Sequence, residues 1–279
     1  MASLADRRRQ FRALHDAGCF VIPNPWDEGS ARYLATLGFK ALATTSAGYA
    51  YASGRADGFV PRDAELAYIA ALVAATDLPV NADFEAGYAD DPEGVAESVR
   101  LCIATGVAGL SIEDARVGAR GSLYTVEQAV ARIRAARAAI DASGAAVLLV
   151  GRAECFLVGQ PDLAETIRRL QAYAEAGADC LYAPGIRTRA EIEAVVQAVA
   201  PKPVNLLMSA TGDLTFQDAA AMGVRRISVG AALARAAWSG FIEAARLIAD
   251  AGRFDHLAAA VPGKTLNALF ASRVPGRPD

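Results

Sequence analysis

Short apolar runs recur along the chain, separated by longer stretches in which apolar positions return every three or four residues. The runs are Cys19–Pro23, Lys40–Thr45, Pro79–Phe84, Ala108–Glu113, Val147–Ala153, Asp179–Pro184, Pro203–Leu207 and Arg225–Gly230. Several are continuous rather than alternating, as expected of strands covered on both faces in a parallel sheet. The intervening stretches carry helix punctuation. Asp27 precedes Glu28–Leu37, Asp91-Pro92-Glu93 opens another helix, Thr125-Val126-Glu127-Gln128 has the form of a capping box, Pro161-Asp162 opens Leu163–Ala176, and Thr188 begins a helix towards Ala198. A glycine precedes a strand at Gly38, Gly106, Gly177 and Gly223, where a left-handed cap turns the chain back into the sheet.

Eight such units predict an α/β fold, a (β/α)8 barrel of the TIM type. A doubly wound open sheet is the alternative, but no glycine-rich dinucleotide loop follows the first strand. No linker-like stretch occurs before Val274–Asp279, so the expectation is one barrel domain over residues 1–279 with a helical tail.

In such a barrel, chemistry belongs at the carboxyl ends of the strands. Strand three ends in Asn81-Ala82-Asp83-Phe84-Glu85, strand four in Ser111-Ile112-Glu113-Asp114 and strand five in Gly151-Arg152-Ala153-Glu154; strand seven begins Pro203-Val204-Asn205. Asp83 and Glu85, two apart on extended backbone, point to one side, and Glu113 stands at the same level on the next strand. Three converging carboxylates repel one another unless a cation lies between them. Oxygen-only ligands favour a hard cation, Mg²⁺ or Mn²⁺. The competing explanation is that these acids cap helices or pair with Arg116, Arg120 or Arg152. Arg152 suits a substrate carboxylate, held bidentately, and equally an ion pair with Glu154. Ser46-Ala47-Gly48 after strand two offers backbone N–H groups for a carboxylate or oxyanion, or forms an ordinary tight turn.

Composition narrows the chemistry. The chain of 279 residues has 53% hydrophobic residues, 21% charged residues and a net charge of −3. That suffices for a large core, and no basic run exceeds Arg7-Arg8-Arg9, which argues against a nucleic-acid partner. No apolar stretch is long enough to span a bilayer, and the first dozen residues lack a secretory signal core. Cys19, Cys102, Cys155 and Cys180 are widely spaced and read as reduced thiols, so the expected compartment is the cytoplasm. The histidines, His15 and His256, fall in predicted helices and are not read as catalytic. The lysines are Lys40, Lys202 and Lys264, none on the inner part of a strand. Schiff-base chemistry is therefore excluded, and a metal must serve as electron sink for any enolate.

Taken in order, Thr44-Thr45-Ser46-Ala47-Gly48, Gly54-Arg55-Ala56-Asp57, Ala82 to Tyr88, Ser111-Ile112-Glu113-Asp114 and Gly151-Arg152-Ala153-Glu154 resemble the isocitrate lyase/phosphoenolpyruvate mutase superfamily. The likeness runs from Asn24-Pro25-Trp26-Asp27 to Ser228-Val229-Gly230. It implies a barrel whose C-terminal helix swaps onto a neighbour, commonly in a tetramer. It also implies Mg²⁺ held by Asp83, Glu85 and Glu113, partly through water. Ser46 and the Ala47 and Gly48 amides would bind a 2-oxo acid or its enolate, Asp57 would lie near the reacting centre, and Arg152 would hold a substrate carboxylate. The sequence departs from the family in two places. The loop after strand four, Ala115–Tyr124, lacks the Lys-Lys/Arg-Cys-Gly-His motif of the isocitrate and methylisocitrate lyases and the Lys and Asn of the mutase branch. Pro184-Gly185 stands where relatives place His or Glu.

The expectation is a Mg²⁺-dependent carbon–carbon lyase for a small 2-oxo or 2-hydroxy di- or tricarboxylate. Oxaloacetate decarboxylation and a methylisocitrate-like cleavage are the leading forms. Its catalytic residues would be Asp57, Arg152 and Glu113, with Ser46, Ala47, Gly48, Arg152 and Asn205 binding substrate. Loop 115–124 would close over the site, with Arg116 or Arg120, and Tyr124, as polar contacts. A phosphonopyruvate mutase or hydrolase, and a barrel that binds an oxo acid with little turnover, are the alternatives. A homodimer or tetramer is expected.

Overall fold

A computed structural model describes residues 2–116, 121–209 and 212–271. Eight parallel strands form one sheet: β1 (Phe20–Ile22), β2 (Leu42–Ala43), β3 (Val80–Asp83), β4 (Gly109–Glu113), β5 (Leu148–Arg152), β6 (Cys180–Tyr182), β7 (Val204–Leu207) and β8 (Arg226–Ser228). All eight lie within the runs predicted from sequence. The order β1-β8-β7-β6-β5-β4-β3-β2 bends into a barrel. The seam between β1 and β2 is closed by the Ala43 amide donating to the Pro23 carbonyl at 3.0 Å. Asn24 staples the same seam. Its Nδ2 donates to Thr44 O, and its Oδ1 accepts from the Val229 and Gly230 amides, all at 2.9 Å. The strands of the fold are thus a nearly closed (β/α)8 barrel.

The helices are α1 (Leu4–Ala13), α2 (Glu28–Thr36), α3 (Ser46–Ala52), α4 (Arg62–Ala75), α5 (Pro92–Ala104), α6 (Val126–Ala142), α7 (Leu163–Glu175), α8 (Arg189–Val199), α9 (Phe216–Ala221), α10 (Ala232–Ala251) and α11 (Gly263–Ala271). The capping box at Thr125–Gln128 and the Asp27, Asp91, Asp162 and Thr188 caps all form as the sequence predicts. Side-chain caps satisfy amide groups that the first helical turn cannot. The main core lies between the sheet and the ring of helices.

Helix α1 crosses the amino-terminal end of the barrel. Phe11 is fully buried with Phe20, Ala41, Ala108, Leu148 and Cys180. Two arginines of the triplet, Arg7 and Arg8, fasten this helix. Arg7 donates to the Val73 and Thr76 carbonyls, and Arg8 to those of Val107 and Ile103. Arg12 adds an ion pair to Asp179 at 3.1 Å. His15 lies just beyond α1, packed between Phe11 and Phe20, at the opposite end from the mouth.

The chain after Ala232 is different. Helix α10 buries Ala234 alone, while Phe241 is 61% exposed, Phe254 63% and Val261 59%. Helix α11 then touches α2. No helix among the described residues is long and apolar enough to cross a membrane.

Candidate active site

A cavity of about 270 Å³ opens at the carboxyl ends of the strands. Of the residues singled out from sequence, Ser46, Ala47, Asp57, Asp83, Arg152 and Asn205 line it. Glu85, Glu113 and Gly48 lie behind that surface.

The strand-end acids gather around one cation. Arg152, at the end of β5, donates through Nη1 to Asp83 Oδ1 at 3.0 Å and lies 3.3 Å from Glu113 Oε2; its Nε pairs with Glu154. Its guanidinium also faces the Tyr182 ring, 5.1 Å from the centroid. Burial works against charge on Arg152, but Glu154, Glu113 and Asp83 outweigh it and hold the guanidinium protonated. Burial pushes the carboxyls of Glu113 and Glu154 above their usual range, with Arg152 opposing the shift. The expected pair between Arg152 and Glu154 is therefore present, together with contacts to two of the three predicted metal acids, Asp83 and Glu113.

Glu85 departs from the extended geometry assumed for it. Strand β3 ends at Asp83, and Glu85 sits in the following turn with φ +45°. Its Oε1 is buried with no hydrogen-bond partner. Burial, with Asp83 and Asp57 nearby, lifts its carboxyl to about 7. Behind it, Glu65 of α4 is fully buried with both oxygens unpartnered, and burial raises it well above the carboxylate range. Sequence patterning alone missed Glu65, because an acid on an amphipathic helix ordinarily faces solvent.

The acids and their surroundings suit a hard divalent cation. Every donor is oxygen, the carboxylates outnumber the guanidinium, and Glu85 leaves a buried oxygen unsatisfied. A ready coordination shell is not assembled: among the described residues no three acidic, histidine or cysteine side chains are grouped to hold a metal. Arg152 stands between Asp83 and Glu113.

The Ser46-Ala47-Gly48 segment is the first turn of α3 rather than a tight turn. Thr45 caps it, accepting from the Gly48 amide at 3.2 Å. Ser46 gives both its amide and its hydroxyl to Asp83 Oδ2, at 3.2 and 3.0 Å. Gly48 has a packing role, since a Cβ there would come within 2.6 Å of Thr45 Cγ2 and 3.1 Å of Trp26 Cβ. Trp26 packs against this turn.

The loop after β4 is partly outside the described residues, Arg120 with it. Tyr124 does not reach the mouth. Its ring is buried, its hydroxyl donates to Asp90, and Arg132 lies 4.0 Å from the ring centroid. Arg116 also lies over that ring, at 5.0 Å. An aromatic sandwiched by guanidiniums is a packing element, which spacing alone does not reveal.

Two charged cavity residues escaped the sequence analysis, Arg226 on β8 and Arg235 on α10. A charged residue inside an otherwise apolar strand was the signal for Arg226.

The phosphoenolpyruvate phosphomutase family profile matches residues 11–249. A crystal structure from Burkholderia cenocepacia J2315, provisionally assigned as a lyase/mutase, shares 50% identity at a TM-score of 0.93 and covers 98% of each chain. Oxaloacetate decarboxylase of Pseudomonas aeruginosa is 32% identical over 247 residues, 82% of this chain and 80% of that one. The structure of 2,3-dimethylmalate lyase shares 28% identity at a TM-score of 0.83, covering 96% of this chain and 95% of that one. The chain belongs to the phosphoenolpyruvate phosphomutase family, within the PEP mutase/isocitrate lyase superfamily, and with it is an enzyme.

Proposed function

We propose that this barrel is a divalent-metal-dependent carbon–carbon lyase acting on a small 2-oxo dicarboxylate, with decarboxylation of an oxaloacetate-like acid as its reaction. The observation that carries this is the cavity lining. Among the described residues it contains guanidiniums, carboxylates, amides and hydroxyls, but no lysine, histidine or cysteine. Decarboxylation of an oxaloacetate-like acid needs no base to begin: the carboxylate lost is beta to the 2-oxo group, leaves as CO2, and its bonding electrons pass into that carbonyl as an enolate. Cleavage of a 2-hydroxy acid must first remove a hydroxyl proton. The lining suits the first reaction better. The similarity to oxaloacetate decarboxylase supports the same choice.

Asp83, Glu85 and Glu113 would hold Mg²⁺ or Mn²⁺, which supplies charge stabilisation for the enolate when bound. Ser46 orients Asp83 through its two hydrogen bonds. Arg152 holds the acid cluster together and presents its remaining N–H groups to a substrate carboxylate. Asp57, which lines the cavity, would deliver a proton to the enolate carbon. Asn205 orients groups on the barrel floor. The exposed apolar face of α10 and of the segment after it supports a homo-oligomer.

Pyruvate release from oxaloacetate, followed by coupled reduction to lactate, tests the reading. The expected result is turnover above the spontaneous background at equal Mg²⁺, abolished by EDTA and restored by Mn²⁺. Release no faster than metal alone, with or without chelator, would reject it.

A further inference from the structure

Arg226 is a buried cation that the proposed chemistry leaves unused. It rises from β8, is 3% exposed and reaches across the barrel interior. Its Nε donates to Asn205 Oδ1 at 2.8 Å, and its Nη1 approaches Asn81 Oδ1, on β3, at 3.4 Å. Both partners are neutral. Each asparagine is itself fixed: Asn205 Nδ2 donates to Ser228 Oγ at 2.9 Å and Asn81 Nδ2 to Ala82 O at 3.1 Å. The amide oxygens are thereby held towards the guanidinium. Nη2 donates to no described residue.

The contrast with Arg152 is chemical. Arg152 is surrounded by Asp83, Glu113 and Glu154, so its charge is already neutralised by the protein. Arg226 is oriented without being neutralised, because the residues facing it are Asn81 and Asn205 rather than aspartates. Burying a guanidinium without an anion is costly. Both asparagines, Ser111 and Ser228 line the same cavity as Arg226.

We infer that Arg226 seats the second anionic group of the substrate at the floor of the cavity, so that the site selects dianions over monoanions. This rests on the proposed function only for the substrate's other end, at Arg152 and the acid cluster. The anionic group can be a carboxylate or a phosphonate, since a guanidinium fork accepts either.

The test is binding to the full-length protein without added metal, read by thermal shift and calorimetry. Malonate and phosphonoacetate serve as dianions, acetate and pyruvate as monoanions. The expected result is that at least one dianion binds tenfold or more tighter than either monoanion, and that Arg226→Gln removes this preference. Asn205→Asp keeps the guanidinium and the local shape but supplies a carboxylate beside Nε, so it also abolishes the preference and stands in if Arg226→Gln does not fold. Equal binding of monoanions and dianions to the unsubstituted protein overturns the inference. So does a dianion preference that survives in Arg226→Gln, or in both Asn205→Asp and Arg226→Gln. Tighter binding of phosphonoacetate than malonate keeps the role of Arg226 while counting against the lyase reading. Failure of oxaloacetate turnover leaves the binding comparison standing, so the two can fail separately.

Discussion

At the scale of single residues, Arg152 organises the mouth. It keeps Asp83, Glu113 and Glu154 close together although burial disfavours charge on the two glutamates. Removing one member of a buried ionic cluster strands the others. Arg152→Met is expected to lower unfolding free energy by about 3 kcal/mol in urea titration. It should also reduce kcat/KM for oxaloacetate at least a hundredfold. Unchanged turnover would show that the guanidinium is structural only. Much of this site is legible in the sequence, because strand ends, acids and Arg152 occur at fixed positions. What is not legible is the partner of each long side chain. Alternation tells whether a residue faces the barrel interior, but not that Arg226 crosses to β3 or that Arg152 settles between two acids. Glu85 shows a different limit. Its position two residues after Asp83 implies a shared side only while the backbone stays extended, and here the chain has already turned.

At the scale of elements, two short helices set the ends of the barrel. Helix α3 begins where Thr45 caps it, and Gly48 leaves room for Trp26 and Ala234. Gly48→Ala forces a methyl group into that contact. A loss of about 1–3 kcal/mol, the usual cost of overpacking, is expected by thermal melting. A weakened oxo-acid affinity should accompany it as Ser46 shifts. At the other end, His15 is held neutral between two phenylalanines. Burial lowers it from 6.5 to about 3, with Arg226 contributing in the same direction. The unfolded chain protonates near 6.5 and the folded chain near 3, so the unfolded state binds more protons throughout that window. Stability must therefore fall as pH drops through it, by about 2 kcal/mol between pH 8 and pH 5 from this residue. His15→Leu should flatten that part of the stability profile, and an unaltered slope would contradict the assignment. The strands and the glycine turns of this end were predictable from pattern. The roles of Arg7 and Arg8 were not, since composition records charge and not the carbonyls they meet.

At the scale of the whole molecule, the barrel is well covered but the chain beyond Ala232 is not. Phe241, Phe254 and Val261 present apolar surface that a lone chain leaves in water. Light scattering is expected to give a mass at least twice 29.0 kDa. Truncation after residue 251 should lower that mass and expose the rim near Arg235. A monomer at micromolar concentration would mean that this surface is tolerated rather than covered by a second copy.

Helix α1 and Phe11 leave the barrel a vessel stoppered at its base. Traffic is then two-way through a single neck: whatever is released must depart by the route along which the reactant arrived. A bulky anion lodged in that neck would trap spent material inside as effectively as it keeps fresh material out.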